Sequence, residues 1–380
     1  MFGRRTFLRN TGLFATAAIA SCQRANVMTT TTTTTAANTG TNDWFMPEEG
    51  DPHARTWMAF GASAAIWGRD LVPGVRRDLA AIANAIARYE PVTMLVRDRE
   101  YDVARGLLDD GVELMVAALD DLWMRDTAPV FAIDERGNKA AIDFNFNGWG
   151  EKQDYDRDAR LAKFIARQAG AVRLTTDLVL EGGCIEVDGD GTAIITESCT
   201  LNDNRNPGVS KAEFEDLLMP LLGLDKIVWL PGIAGRDITD GHTDFYARFV
   251  RPGLVVAGYE PDPDSFDREV TLEHLEILEA ATDARDCRLD VTVLEAPSEI
   301  REEFASEEFA SEEFAAGYVG FYVCNGAVLV QEFGDARTDA EAAEKLQRLF
   351  PDRAIEPLAV DAIAAGGGSI HCATQQEPLA

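Results

Sequence analysis

The sequence predicts a mixed α/β fold in one domain that begins near Trp44, and three observations lead there. Apolar residues stand at helical spacing from Val75 to Ala87, and a short β-rich run from Pro91 to Val96 follows directly. Short apolar runs with strand character then recur along the rest of the chain. No second linker-like tract interrupts that alternation before the C-terminus. With 380 residues, 46% of them hydrophobic, the chain can bury a sizeable core.

In order, the expected elements are the helix 75–87, the strand 91–96 and a helix-like segment 101–110. Strands are expected at 129–133, 142–146, 192–195, 227–230, 245–250, 254–257 and 318–323. The segment Glu302–Ala315 repeats Glu-Glu-Phe-Ala-Ser almost three times. A period of five matches neither the helix nor the strand, so the segment is expected as a surface insertion.

The first 22 residues stand apart from the fold. Arg4 and Arg5 resemble a twin-arginine export signal, and an apolar stretch from Thr11 to Ala20 follows. That stretch falls short of the roughly 20 apolar residues a spanning helix needs. Ile19-Ala20-Ser21-Cys22 reads as a lipoprotein box, with Cys22 the expected lipidated residue. Residues 23–43 include a Thr-rich tract and read as a flexible tether, leaving 44–380 as the folded domain. The expected location is the cell envelope, with membrane contact only through the N-terminal lipid.

A formal net charge of -30 repels nucleic-acid phosphates and anionic headgroups, which argues against nucleic acid as a partner and favours cationic small molecules. Of six cysteines, five remain once Cys22 is set aside. An odd number in an oxidising compartment leaves at least one thiol unpaired.

Four places carry candidate chemistry. Gly366-Gly367-Gly368-Ser369-Ile370-His371-Cys372 delivers a thiol from a glycine-rich loop, either as a nucleophile or as a buried cysteine in a tight turn. In Asp240-Gly241-His242-Thr243-Asp244, His242 is the acid/base candidate among only four histidines. A strand here would put His242 and Asp244 on one face. Metal ligation by His242 lacks a second His or a Cys pair at ligand spacing. In Trp123-Met124-Arg125-Asp126-Thr127, Asp126 is either an anion for a cationic ligand or half of an ion pair with an arginine such as Arg125. Glu181, before Gly182-Gly183, is a carboxylate expected at a strand end.

Taken in order, and with Phe146-Asn147-Gly148-Trp149-Gly150, these motifs resemble the agmatine deiminase and bacterial-type peptidylarginine deiminase family of the guanidine-modifying superfamily. The resemblance spans nearly all of the chain after Trp44. It implies a five-bladed α/β propeller, or pentein, with pseudo-fivefold symmetry and a central active site. It also implies Cys372 as nucleophile, His242 as general acid/base, Glu181 supporting the histidine, Asp126 and Asp244 gripping a guanidinium, and Trp123 lining the pocket. No metal or organic cofactor is implied.

The implied reaction is hydrolysis of agmatine to N-carbamoylputrescine and ammonia through an S-amidino cysteine. Peptidylarginine is the alternative substrate, and an amidinotransferase or a non-catalytic binder of cations are more distant readings. Two positions depart from the family pattern: Asp237-Ile238-Thr239 stands where Asp-Glu-Thr is common, and Ser369 where Asn is common.

Overall fold

The computed structural model describes residues 44–305 and 314–380. The leader, Cys22 and the tether lie outside the described residues, as does the middle of the Glu-Phe repeat.

Sixteen strands form five small sheets among the described residues. The first contains β1 (His53–Phe60), β2 (Val92–Val96) and β3 (Val112–Val116), and it is joined by the last strand, β16 (Gln375–Pro378). The second contains β4 (Val130–Ile133), β5 (Lys139–Asp143) and β6 (Val172–Thr175). The third contains β7 (Ile185–Val187), β8 (Thr192–Thr196) and β9 (Lys226–Leu230). The fourth contains β10 (Ala247–Arg251), β11 (Leu254–Tyr259) and β12 (Asp290–Glu295). The fifth contains β13 (Tyr322–Cys324), β14 (Ala327–Gln331) and β15 (Ala354–Leu358).

Each sheet repeats one plan. An antiparallel pair comes first (β16 with β1, β4 with β5, β7 with β8, β10 with β11, β13 with β14), and a helical crossover then brings in a parallel third strand. Parallel pairing requires such a crossover, which explains the alternation visible in the sequence. Five sheets of one plan are the five blades of the propeller. Because β16 pairs with β1, the chain's last strand completes its first blade.

Local chemistry sets the crossovers. Ser210 accepts from the backbone N–H of Glu213 while the Glu213 carboxylate takes the N–H of Ser210, a capping box that starts the helix Lys211–Leu222. Asp335 caps Ala336–Leu349, whose Thr338, Ala342 and Leu346 form one buried stripe. The expected helix 75–87 is the C-terminal part of Ala64–Ile86, which is kinked at Gly68.

Several expected boundaries change. The segment 101–110 is an α-helix only over Tyr101–Arg105, the run 142–146 pairs only as far as Asp143, the run 245–250 pairs over Ala247–Arg251, and Tyr318–Phe321 stays outside β13. No helix among the described residues is long and apolar enough to cross a membrane.

Candidate active site

Four of the five blades send a functional group from the turn that enters their first strand. Asp126 lies in the helical turn before β4, Glu181 just before the turn into β7, His242 and Asp244 at the turn before β10, and Cys372 just before β16. The fifth blade contributes backbone: Gly320 O accepts from His371 N at 3.1 Å, and Phe321 O from Arg248 Nη1 at 2.8 Å. Residues far apart in sequence thereby meet at one centre.

Cys372 Sγ lies 3.2 Å from Ser369 Oγ and 3.9 Å from Asp244 Oδ2. Burial, and then the carboxylates of Asp244 and Asp126, push its thiol well above the ordinary range. His242 Nδ1 faces Asp126 Oδ1 at 3.8 Å and its Nε2 faces Glu181 Oε2 at 3.4 Å. Burial alone would lower the His242 pKa, but Asp126, Glu181 and Asp244 outweigh it and push it up to about 10. At neutral pH the ring is an imidazolium.

Asp126 accepts from Trp149 Nε1 at 2.9 Å and from the N–H of Gly183 at 3.3 Å. Burial raises it to about 6, with Glu181 and Asp244 adding to the rise and His242 opposing it. Asp244 Oδ2 is held by His371 Nδ1 at 2.6 Å, whereas its buried Oδ1 takes no hydrogen bond. For Asp244, burial is outweighed by His371, His242 and Arg248, which lower its pKa.

A second layer fixes these groups. Glu49 Oε2 lies 2.9 Å from both His371 Nε2 and Arg125 Nη2, and its Oε1 lies 2.8 Å from Arg248 Nη2 and accepts from Val323 N–H at 2.8 Å. Burial opposes the charge on Glu49, yet Arg248, His371 and Arg125 hold its carboxyl well below the usual range. Arg205 Nε donates to both oxygens of Glu181 at 2.9 Å, and its Nη1 donates to Asp240 Oδ2 at 2.8 Å. Glu181, Cys184 and His242 place one potential ligand atom each within 4.8 Å of one another, but the Arg205 guanidinium on Glu181 opposes a dication there.

Glycine supplies the close approaches. A Cβ on Gly183 would sit 2.5 Å from His242 Nδ1, and one on Gly368 would strike the ring of Trp123. Trp123 in turn packs on Trp67, with ring centroids 5.6 Å apart.

All six candidate residues of the sequence analysis meet in this cluster, with three corrections of setting. His242 and Asp244 are not on a strand: Thr243–Phe245 is a 3-10 turn, and pairing starts only at Ala247. Glu181 is not at a strand end but immediately before a 3-10 turn. Asp126 is not paired with Arg125, which is drawn to Glu49 instead. Sequence reasoning missed Glu49, Arg248, Arg205, Trp149 and His371. A signal existed for Arg248, a lone charge in the apolar run 245–250, and for His371, adjacent to Cys372.

A cavity of about 260 Å³ adjoins this centre. Gly367 and Ser369 of the cysteine loop form one wall, and Asp237, Glu260 and Asp267 stand among its other lining residues. No lysine or arginine lines it among the described residues. Burial, together with repulsion from Asp237 and Glu260, raises Asp267 to about 6, against a hydrogen bond from Tyr246.

A five-bladed α/β propeller with Cys, His and paired carboxylates at its centre defines the class: a guanidine-modifying enzyme, a hydrolase of C–N bonds in amidines. The chain belongs to the Porphyromonas-type peptidyl-arginine deiminase family, whose profile matches residues 45–378. A Streptomyces coelicolor protein is 44% identical over 341 residues, covering 88% of this chain and 98% of the relative. The agmatine deiminase of Pseudomonas aeruginosa is 38% identical over 351 residues, covering 88% and 95%. The solved agmatine deiminase of Enterococcus faecalis superposes with a TM-score of 0.82 at 30% identity, covering 90% of this chain and 99% of that one.

Proposed function

We propose that the chain hydrolyses agmatine to N-carbamoylputrescine and ammonia, with Cys372 as nucleophile and His242 as general acid and base. The observation that carries the residue roles is the pair of buried carboxylates, Asp126 and Asp244, beside Cys372 Sγ, with Asp244 Oδ1 unpaired. A planar guanidinium supplies the N–H donors that such a pair lacks. Without that cation, two carboxylates next to a buried thiol keep it protonated. Once bound, the cation offsets them and brings the thiol down, so the nucleophile forms when substrate is present.

The thiolate then adds to the guanidinium carbon. The His242 imidazolium protonates the departing nitrogen, ammonia leaves, and an S-amidino cysteine remains. Neutral His242 next takes a proton from water as its oxygen attacks the same carbon. Breaking the C–S bond releases the ureido product, and the remaining proton leaves with ammonia as ammonium. Glu181, fixed by Arg205, orients the ring.

The acidic cavity beside Ser369 supports agmatine over arginine. Its carboxylates attract a distal ammonium and repel an α-carboxylate, which fits a cationic guanidino small molecule. Asp237, Glu260 and Asp267 supply the negative charge of this cavity.

The test is ammonia release by the purified protein from agmatine, arginine and an arginine peptide with blocked ends, beside Cys372→Ala. Release from agmatine, lost in the variant, is expected. Preference for the peptide would move the protein to the peptidylarginine branch, and silence on all three would leave a cation-binding protein.

We propose further that residues 1–22 export the protein and that Cys22 is lipidated. The twin arginines and the lipoprotein box support this. Replacing Arg4 and Arg5 by lysine should keep the protein in the cytoplasm, and Cys22→Ala should release it from the membrane fraction. An unchanged distribution in either would overturn that part.

A further inference from the structure

Behind Glu181 lie two cysteines that the guanidine chemistry does not use. Cys184 closes the 3-10 turn Gly182–Cys184, and Cys199 sits in the short helical turn Glu197–Thr200. Both are fully buried, and their Sγ atoms are 3.4 Å apart, joined by a thiol hydrogen bond. The Cys184 thiol also lies 3.2 Å from Glu181 Oε2, to which it donates. Cys199 Sγ is 3.0 Å from Thr196 Oγ1. An S–S bond of about 2.05 Å therefore needs a closure of roughly 1.4 Å, shared between two short turns.

We propose that Cys184 and Cys199 are a redox pair whose disulfide, formed by a peroxide, slows the enzyme through Glu181 and His242. The effect on activity rests on the roles given above to His242 and Glu181; the formation of the bond does not.

The chemistry balances with hydrogen peroxide as oxidant. The Cys199 thiolate attacks one peroxide oxygen, the O–O bond breaks, and a sulfenic acid and hydroxide result. The Cys184 sulfur then attacks Cys199 Sγ, forming S–S and expelling the second oxygen as hydroxide. The two sulfurs have lost two electrons, and the two thiol protons convert the hydroxides to water. Cys199 suits the first step. Burial alone would raise its pKa, but its contacts with Cys184 and Thr196 and the positive charges of His242 and Arg205 pull it down.

Two consequences reach His242. Oxidation removes the proton that Cys184 donates to Glu181, which faces His242 Nε2 at 3.4 Å. Closure also draws on the Gly182–Cys184 turn, where a Cβ on Gly183 would already sit 2.5 Å from His242 Nδ1. A shift of this turn thus moves the backbone surface that lies against the ring. Cys199, by contrast, bonds through its thiol to Cys184 and Thr196, behind Glu181, so its substitution leaves Asp126, Asp244 and Cys372 in place.

The test has two arms. In the first, full-length Cys372→Ala protein is treated with hydrogen peroxide, alkylated, digested and mapped. The expected product is one cross-linked peptide pair joining Cys184 to Cys199, lighter by two hydrogens and separated by dithiothreitol. Its absence overturns the proposal.

In the second arm, the natural protein and Cys199→Ser are oxidised side by side without agmatine, which leaves the Cys372 thiol protonated, and are then assayed with it. The natural protein should lose about fivefold more kcat than the variant and regain it with dithiothreitol. Equal losses, despite a mapped cross-link, would overturn the link to His242. Cys199→Ala serves as the second variant should serine impair folding, as judged by thermal melting. If untreated protein does not turn over agmatine, the substrate reading fails, while the peptide map still decides the redox pair.

Discussion

His371 Nδ1 stands 2.6 Å from Asp244 Oδ2, and the same ring reaches Glu49 Oε2 through Nε2 at 2.9 Å. The histidine beside Cys372 therefore acts as a clamp on Asp244, leaving Asp244 Oδ1 to meet a ligand. His371→Phe should remove a charge-assisted bond worth about 1.5–3 kcal/mol, a ten- to hundredfold loss in kcat/KM. The loss should fall largely on KM, because the substrate-facing carboxylate is the group set loose. Steady-state kinetics with agmatine would decide it. A kcat loss with unchanged KM would instead place His371 on the reaction coordinate.

Binding should weaken in acid because of Asp126. Its pKa is raised to about 6 by burial, so a fraction of the carboxylate is protonated in mildly acidic solution before substrate arrives. A protonated Asp126 cannot pair with the guanidinium, and KM should rise toward tenfold per unit as pH falls below about 6. Isothermal titration of agmatine into Cys372→Ala, between pH 5 and 8, measures this directly. Asp126→Asn should bind weakly at every pH and flatten the dependence.

Gly183→Ala is expected to separate activity from stability. The added methyl would lie 2.5 Å from His242 Nδ1 and 3.1 Å from Asp126 Oδ1, so the imidazole must turn away. Overpacking of this kind costs about 1–3 kcal/mol. The melting temperature should drop by a few degrees while kcat falls at least a hundredfold. A variant with near-normal kcat would show that the ring has room the geometry denies it.

How much of this was legible in sequence follows from which residues had to be apolar. Val92–Val96 is buried throughout and reads directly as a strand, and so do Ala193 to Ile195 of β8. The strand β16, Gln-Gln-Glu-Pro, carries no such signal although it is buried along its whole length. Glu377 and Gln376 are met from outside the strand: Trp57 Nε1 and Lys139 Nζ reach Glu377 at 2.9 and 2.6 Å, and Arg125 Nη1 reaches Gln376 at 2.7 Å. The motifs exposed Cys372 and His242 because rare residue types stand beside or near glycines, and Asp126 because it follows a tryptophan and an arginine just before a strand. Glu49 offered no comparable sign, since its role depends on Arg125, Arg248 and His371 arriving from three other parts of the chain.

The same logic governs Glu181, where charge balance gives a prediction with a definite sign. Burial would lower the His242 pKa, and Asp126, Glu181 and Asp244 overcome it to hold the ring near 10. Glu181→Gln removes one of these carboxylates, so the His242 pKa should fall. If the reaction needs the imidazolium to release ammonia, the basic limb of the kcat profile should move to lower pH, by a unit or more, with less change on the acid side. Stability should respond in a matching way. A histidine whose folded pKa lies above its unfolded value of about 6.5 stabilises the fold fully below that pH and loses the contribution as pH rises toward 10. In the variant this loss should be complete at a lower pH. The variant also strands the Arg205 guanidinium, which donates to both Glu181 oxygens, although Asp240 still accepts from it. Breaking such a buried pair costs about 3–5 kcal/mol, so urea denaturation across pH should show a lower and flatter curve. An unmoved kcat profile would mean that Asp126 and Asp244 alone keep the His242 proton in place.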